Sequence, residues 1–234
     1  MKYILSLIIV FLCISCGNKK ELQLPEIDST QITEITDVSA AYLFYDETQA
    51  DSVELNRKNL ISTTNWLVNV DKRLTLKQAI PHIKFLQDKK KSSSHKNEKA
   101  KNYFTCHDLS KNNLGFLEFT EINYHYSFQD LYERKDIELS TPNHETLIQV
   151  INLDSIRIHF PEFANPNFTD EISSNKNDLL NDLTKIKDKT NIVLYSSFLS
   201  NLKFQDYITF QNIIRKLEVD GIKISNHEFI IDSM

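Results

Sequence analysis

Glycine is scarce in this chain. Only Gly17, Gly115 and Gly221 occur among 234 residues. Loops that cradle phosphate need several glycines close together, so that the backbone can approach the ligand. Neither a P-loop nor a dinucleotide fingerprint passes through these positions. No serine sits between two nearby glycines, as a nucleophile elbow requires. Cysteine is equally sparse: Cys13 and Cys16 lie near the start, and Cys106 stands alone afterwards. A lone thiol makes no internal disulfide, so the fold must rest on a packed core. Seven histidines are present, yet none is spaced as HExxH or another close metal-binding pair. Beyond the opening residues no apolar run approaches the roughly 18 residues that a membrane helix needs. Basic charge is not in excess either. The formal net charge is -5, which argues against nucleic acid as a partner.

The opening residues carry the clearest signal. Residues 1 to 16 read MKYILSLIIVFLCISC. Lys2 supplies a positive start, and residues 4 to 12 form an apolar run of secretory length, too short to span a bilayer. Ile14-Ser15-Cys16 then precedes a polar stretch from Gly17. This segment resembles the signal and lipobox of bacterial lipoproteins, with one departure: Cys13 stands where Leu, Val or Ile is usual. The resemblance implies removal of residues 1–15, diacylation of Cys16 on sulfur and, as a rule, acylation of the new amino terminus. It implies an envelope protein held to the membrane by lipid and facing the periplasm. Cys13 is a poor lipid site because bulky Leu12 precedes it. Two or more acyl chains anchor stably, at ~0.8 kcal/mol per buried methylene. Residues 16–30 are polar, carry Pro25 and read as the lipidated start and a short tether.

Two later stretches share an order of elements. In the first unit, residues 31–126, Ser39 to Tyr45 (SAAYLFY) reads as a strand. Asp51 to Ile61 is mixed polar and helix-permissive, and Asn65 to Val70 (NWLVNV) reads as a buried strand. Leu76, Ala79, Ile80, Ile83 and Leu86 then fall on one helical stripe, with Pro81 inside it to kink the helix or mark a late start. Leu114 to Ile122 closes as a strand. In the second unit, residues 146–234, a strand at Ser155 to Phe160 is followed by a helical stripe at Leu179, Leu180, Leu183 and Ile186. A buried strand at Asn191 to Tyr195 comes next. Phe204, Tyr207, Ile208, Gln211 and Ile214 repeat the spacing of the earlier stripe, Leu217 extends it and Gly221 suits its end. Ile222 to Ile231 closes as a strand. Gln31 to Ile35 and Leu147 to Val150 are candidate leading strands, and residues 127–145, with Pro142, form the connector. The expected class is α+β, as a tandem duplication of a β-α-β-α-β unit with helices on one face of each sheet. The competing account is an ordinary α/β order that repeats by chance once loops are adjusted.

Residues 155–231 also resemble the periplasmic domain of the ExbD/TolR family in pattern. The shared order is strand, helix, core strand (NIVLY at 191–195), amphipathic helix (203–218), Gly221 and terminal strand. Members of that family carry an N-terminal membrane helix with an ionisable aspartate that serves proton flow. A cleaved lipid signal takes its place here, so the resemblance implies the fold and not the proton-driven activity.

Several clusters bear on chemistry. Asp46, Glu47, Asp51 and Asp71 collect where core strands should end, which is where α/β folds tend to place ligands. Asp46 and Asp71 are the metal candidates, for Mg2+ or Ca2+; the competing role is helix capping and first-turn charge. Cys106-His107-Asp108 groups ligand types, but neighbours in a strand point to opposite faces. The run from Asp88 to Lys101 carries six lysines and reads either as a solvated loop or as a contact for anionic headgroups. Tyr124, Tyr126 and Phe128 alternate, which puts them on one face, either core or an aromatic contact patch. The final strand offers an open edge that a partner strand can join.

Taken together, these features favour a non-enzymatic envelope lipoprotein that binds a protein or the peptidoglycan wall, with no cofactor, no catalytic residues and lipid on Cys16. The alternative is a metal-assisted hydrolase built on the acidic strand ends.

Overall fold

Among the described residues, two mixed six-stranded sheets and three helices make an α+β fold. The computed structural model describes residues 21–48, 53–95, 97–128, 144–160, 170–185, 192–217 and 222–232. The first sheet holds β1 (Glu26–Ile27), β2 (Val38–Tyr45), β3 (Val53–Asn56), β4 (Asn65–Val70), β5 (Asn102–Asp108) and β6 (Asn113–Glu118). Helix α1 (Leu76–Lys91) crosses from β4 to β5. The second sheet holds β7 (Asn123–His125), β8 (His144–Asn152), β9 (Ser155–Phe160), β10 (Asp170–Ser174), β11 (Ile192–Leu199) and β12 (Ile222–Ile231). Helix α2 (Leu179–Thr184) follows β10, and α3 (Phe204–Ile214) crosses from β11 to β12.

The sheets are wired alike. Each begins with an antiparallel hairpin, β2–β3 or β8–β9, then adds a parallel strand, a helix and a further parallel strand. The orders β3-β2-β4-β5 and β9-β8-β11-β12 correspond. Thus Val38–Tyr45 matches His144–Asn152, and the hairpin return Val53–Asn56 matches Ser155–Phe160. The sequence pattern instead pairs Ser39–Tyr45 with Ser155–Phe160 and predicts a helix over Asp51–Ile61. That helix is absent among the described residues because Val53 and Leu55 alternate inward as β3 and pair with Tyr45 and Leu43 of β2.

Other boundaries also move. The strand that receives α1 is β5, not the one at Leu114–Ile122. Five of the first six positions of β5 are fully enclosed rather than alternating, so it lacks the period-2 signature of a one-sided strand. Gln31–Ile35 is not a strand, although the Ile32 carbonyl accepts from Phe116 N. The final strand β12 is no open edge, since β11 and β7 flank it. Residues 21–30 do not form a tether. They carry β1, which pairs with His107 and Asp108 of β5. Within the expected connector 127–145, residues 129–143 lie outside the described residues, and β8 already begins at His144.

The stripes Leu76–Leu86 and Phe204–Ile214 fall where the periodicity puts them, while Leu217 lies beyond the end of α3, and Ile186 and Gly221 lie outside the described residues. Thr75 caps α1 through a capping box: Gln78 N donates to Thr75 Oγ1 and Thr75 N donates to Gln78 Oε1, the reciprocal pairing of a T-x-x-Q start. Pro81 lies exposed in the second turn without ending the helix. The stripe from Leu76 to Leu86 and its counterpart from Phe204 to Ile214 are both buried. Helix α3 meets both sheets. Phe104 of β5 contacts Phe204 at 5.2 Å edge-on, and Phe198 of β11 contacts Tyr207 at 5.1 Å and Phe210 at 5.2 Å. One continuous core results.

The chain before β2 seals an exposed flank of the first sheet. Thr30 Oγ1 donates to Phe116 O at 3.1 Å, and Thr30 N donates to Asp108 Oδ2 at 3.0 Å. Gly115 permits this approach, because a Cβ there would stand 2.5 Å from Thr30 Cγ2 and 3.2 Å from Asp108 Cβ. Gly115→Ala should therefore destabilise the protein by about 1–3 kcal/mol, in the manner of overpacking. Thr30→Ser, which deletes Cγ2 and keeps the hydroxyl, should recover part of that loss in urea unfolding. If the double variant unfolds as easily as Gly115→Ala alone, the Thr30 contact is not the cause.

Candidate functional site

The two helix starts meet at one seam. Thr75 and Lys203 form an antiparallel bridge, in which Leu76 N donates to Leu202 O at 2.9 Å and Phe204 N donates to Leu74 O at 2.7 Å. Parallel strands of both sheets therefore end side by side, and a cleft of about 680 Å3 opens there. Tyr45 from the end of β2, Lys72 and Arg73 from the turn after β4, and Lys203, Gln205 and Asp206 from the start of α3 line it. Glu26, Leu153 and Lys176 complete the wall, with Thr209 behind. Four cationic side chains thus face two carboxylates.

Asp71 organises this end of the first sheet. It follows β4 directly, is fully buried and accepts four hydrogen bonds: Arg73 N at 3.0 Å, Arg73 Nε at 2.9 Å, Arg73 Nη2 at 2.8 Å and Gln23 N at 3.2 Å. Burial alone would raise its pKa. The Arg73 guanidinium and the two backbone donors outweigh burial and hold the carboxyl below the usual range. Arg73 also meets Glu47 and lies over the Tyr45 ring at 4.9 Å. The guanidinium is thereby fixed in a planar fork, the geometry that suits oxyanions. Lys203 Nζ donates to the Arg73 carbonyl at 3.0 Å. Lys72 Nζ meets Glu26 Oε1 at 2.6 Å, and this lysine holds the Glu26 carboxyl low. Gln205 pairs with the backbone of Glu26 in both directions, accepting at 2.9 Å and donating at 2.8 Å. Asp206 is pushed up by burial and by Asp154, against Lys176 and Lys203.

The remaining sequence candidates scatter. Asp46 accepts from Thr48 N and Thr48 Oγ1 at 3.0 and 2.7 Å, a local turn. Asp71 is taken up by Arg73, so the two metal candidates serve different structural roles. Among the described residues no three His, Cys, Asp or Glu side chains are grouped to hold a metal ion. Cys106 is enclosed and burial drives its thiol pKa upward, which disfavours the thiolate that nucleophilic attack needs. Asp108 points inward with it, held low by Ser110, Thr30 N and Lys111 N, while His107 faces the other way. In the lysine run, Lys90 is buried: its Nζ reaches Lys101 O at 3.0 Å and Asn102 Oδ1 at 2.9 Å and lies 5.0 Å over the Trp66 ring. The aromatic triplet shares no surface. β7 ends at His125, so Tyr124 is core, Phe128 stacks on Phe229 at 4.8 Å, and Tyr126 alone is exposed. Cys13 and Cys16 lie outside the described residues.

Sequence reasoning passed over the basic set around Arg73. A signal was present, because Asp71-Lys72-Arg73 directly follows a core strand and Arg73 stands two residues from the carboxylate it pairs with. It also passed over Glu228. This residue is buried on β12, where Tyr207 Oη donates to Oε2 at 2.8 Å and Gln211 Nε2 donates to Oε1 at 2.7 Å. Tyr124 Oη lies 3.1 Å from Tyr207 Oη and closes the network. Burial pushes the Glu228 carboxyl up to about 7, against those two donors and the charge of Arg215.

Comparison with family models, with curated proteins and with solved structures finds no match to this chain.

Glu228 makes stability pH-dependent. Between its ordinary pKa of 4.5 and about 7, the unfolded chain has released a proton that the folded chain keeps. Stability is therefore full below this window and falls as pH rises through it, by a total on the order of 3 kcal/mol. Glu228→Gln should remove the fall and leave the variant more stable than wild type above the window. Urea midpoints across this range are the measurement; parallel pH profiles in the two proteins would show that Glu228 is ionised throughout.

Proposed function

We propose that this chain is an envelope lipoprotein, anchored through acylated Cys16, and that its folded body is a non-enzymatic binding module for a protein or cell-wall partner. The sequence of residues 1–16 carries the reading. Two structural features support the second half. The cleft at the seam has side chains already fixed by neighbours, as a binding surface needs, because preorganised groups lose less freedom on association. The buried thiol and the paired carboxylates lack the nucleophile–base geometry of catalysis. The metal-assisted hydrolase reading finds less support, since a cation at Asp71 must displace the Arg73 guanidinium. A tandem duplication belongs to the same proposal. It is supported by the common strand order and by the equivalent bonds that Leu74 and Leu202 accept across the seam.

Cys16→Ala should abolish incorporation of a labelled fatty acid and leave the precursor unprocessed, while Cys13→Ala leaves both intact. Label that survives Cys16→Ala overturns the anchor. For the module, Mg2+ or Mn2+ should leave the melting temperature unmoved, because a cation bound to the native state would raise it by mass action. A rise that disappears in Asp46→Asn/Asp71→Asn would favour the hydrolase.

A further inference from the structure

We infer that the cleft at the seam is the membrane-facing side of the anchored protein, and that its exposed Lys176 and Lys203 dock on anionic lipid headgroups. This rests on the lipoprotein reading of Cys16. Five peptide steps separate Cys16 from Glu21, the first described residue, and even fully extended they reach at most roughly 18 Å. The chain then enters the body at the cleft. Gln23 N donates to the Asp71 carboxylate, and the Gln23 carbonyl accepts from Lys72 N at 2.8 Å. An anchor so short leaves the face around Gln23 little freedom to turn from the bilayer.

Charge selects the surface that this face meets. Of the four cations that line the cleft, Lys72 is paired with Glu26 and Arg73 with Asp71 and Glu47, which leaves Lys176 and Lys203 to meet a surface. Lys176 and Lys203 are exposed, and Lys72 and Arg73 are half-buried. Each basic group near an anionic bilayer adds attraction that fades within a screening length. The lysine run from Asp88 to Lys101 is a second basic feature. Its first lysine, Lys89, stands thirteen rises from Leu76, roughly 20 Å along the axis. With the cleft docked, that run is carried away from the membrane.

The test uses the acylated protein, purified from its own membrane and reconstituted in vesicles. Lysines are modified with an amine-acetylating reagent and read by mass spectrometry. In vesicles containing phosphatidylglycerol, Lys72, Lys176 and Lys203 should react about five-fold more slowly than in pure phosphatidylcholine, while Lys89, Lys91 and Lys99 react equally in both. Salt raised from about 0.1 to 1 M, which shortens screening from about 10 to about 3 Å, should erase the difference. Lys176→Glu/Lys203→Glu should remove the protection of Lys72. In that variant, continued protection of buried Lys90 reports an intact fold. Equal reactivity in the two vesicle types, protection of the distal lysines instead, or protection in phosphatidylcholine by inorganic phosphate alone would each overturn the docking. Missing acyl label on Cys16 would instead overturn the anchor itself, so the two failures are separable.

Discussion

The rest of the structure depends on the seam where α1 and α3 begin. At that point the backbone of each helix start bonds to the other: Leu76 N to Leu202 O, and Phe204 N to Leu74 O. A helix start ordinarily leaves donors without partners. Here one such donor from each helix is satisfied by the other unit. The exchange fixes where both crossovers begin, and so where both sets of parallel strands end. It also sets α3 between the sheets, which explains why seven of its eleven side chains are enclosed. A helix serving one sheet needs one apolar stripe. Phe204, Tyr207 and Phe210 serve two.

The periodic parts of this fold are legible in the sequence, and the reasons are physical. Asn65–Val70 alternates, Leu76–Leu86 and Phe204–Ile214 keep a helical stripe, and Ile222–Ile231 is long and β-branched. Each carries enough of its own period or composition to declare itself. The failures are equally specific. β5 is enclosed on both faces and follows a charged run, so neither alternation nor composition marks it. β3 is four residues of mixed character, and its identity comes from pairing with β2 rather than from its own pattern. β1 has two residues and exists only because β5 offers it an edge. Such elements are decided by tertiary context, which one sequence does not display.

The site shows the same division. Acidic residues at strand ends are visible in the sequence, and Asp71 does sit at such an end. What it does there is set by Arg73, which wraps back on it, and by Gln23, which arrives from the segment that precedes the unit. The carboxylate therefore acts as the internal support that aims a guanidinium, whose outer side meets Glu47. Removing Arg73 would leave Asp71 buried without its partner, a far larger disturbance than losing an exposed ion pair.

The strand that ties the N-terminal half to the second sheet is among the shortest described. β7 has three residues, too few to be specified by ladder bonds alone. Its two faces specify it instead. Tyr124 stands opposite Glu228 and turns inward, where its hydroxyl meets Tyr207. His125 stands opposite Phe229 and turns to the other face, stacking on that ring at 5.3 Å while its Nε2 lies 2.8 Å from His227 Nδ1. A slip of one residue would send the tyrosine to the histidine face and the histidine into the core. It would leave the Tyr207 hydroxyl short of its Tyr124 partner in a region that excludes water, where an unmet polar group costs most. The buried carboxyl lowers stability near neutral pH, and the tyrosine pair beside it makes every other pairing of β7 worse.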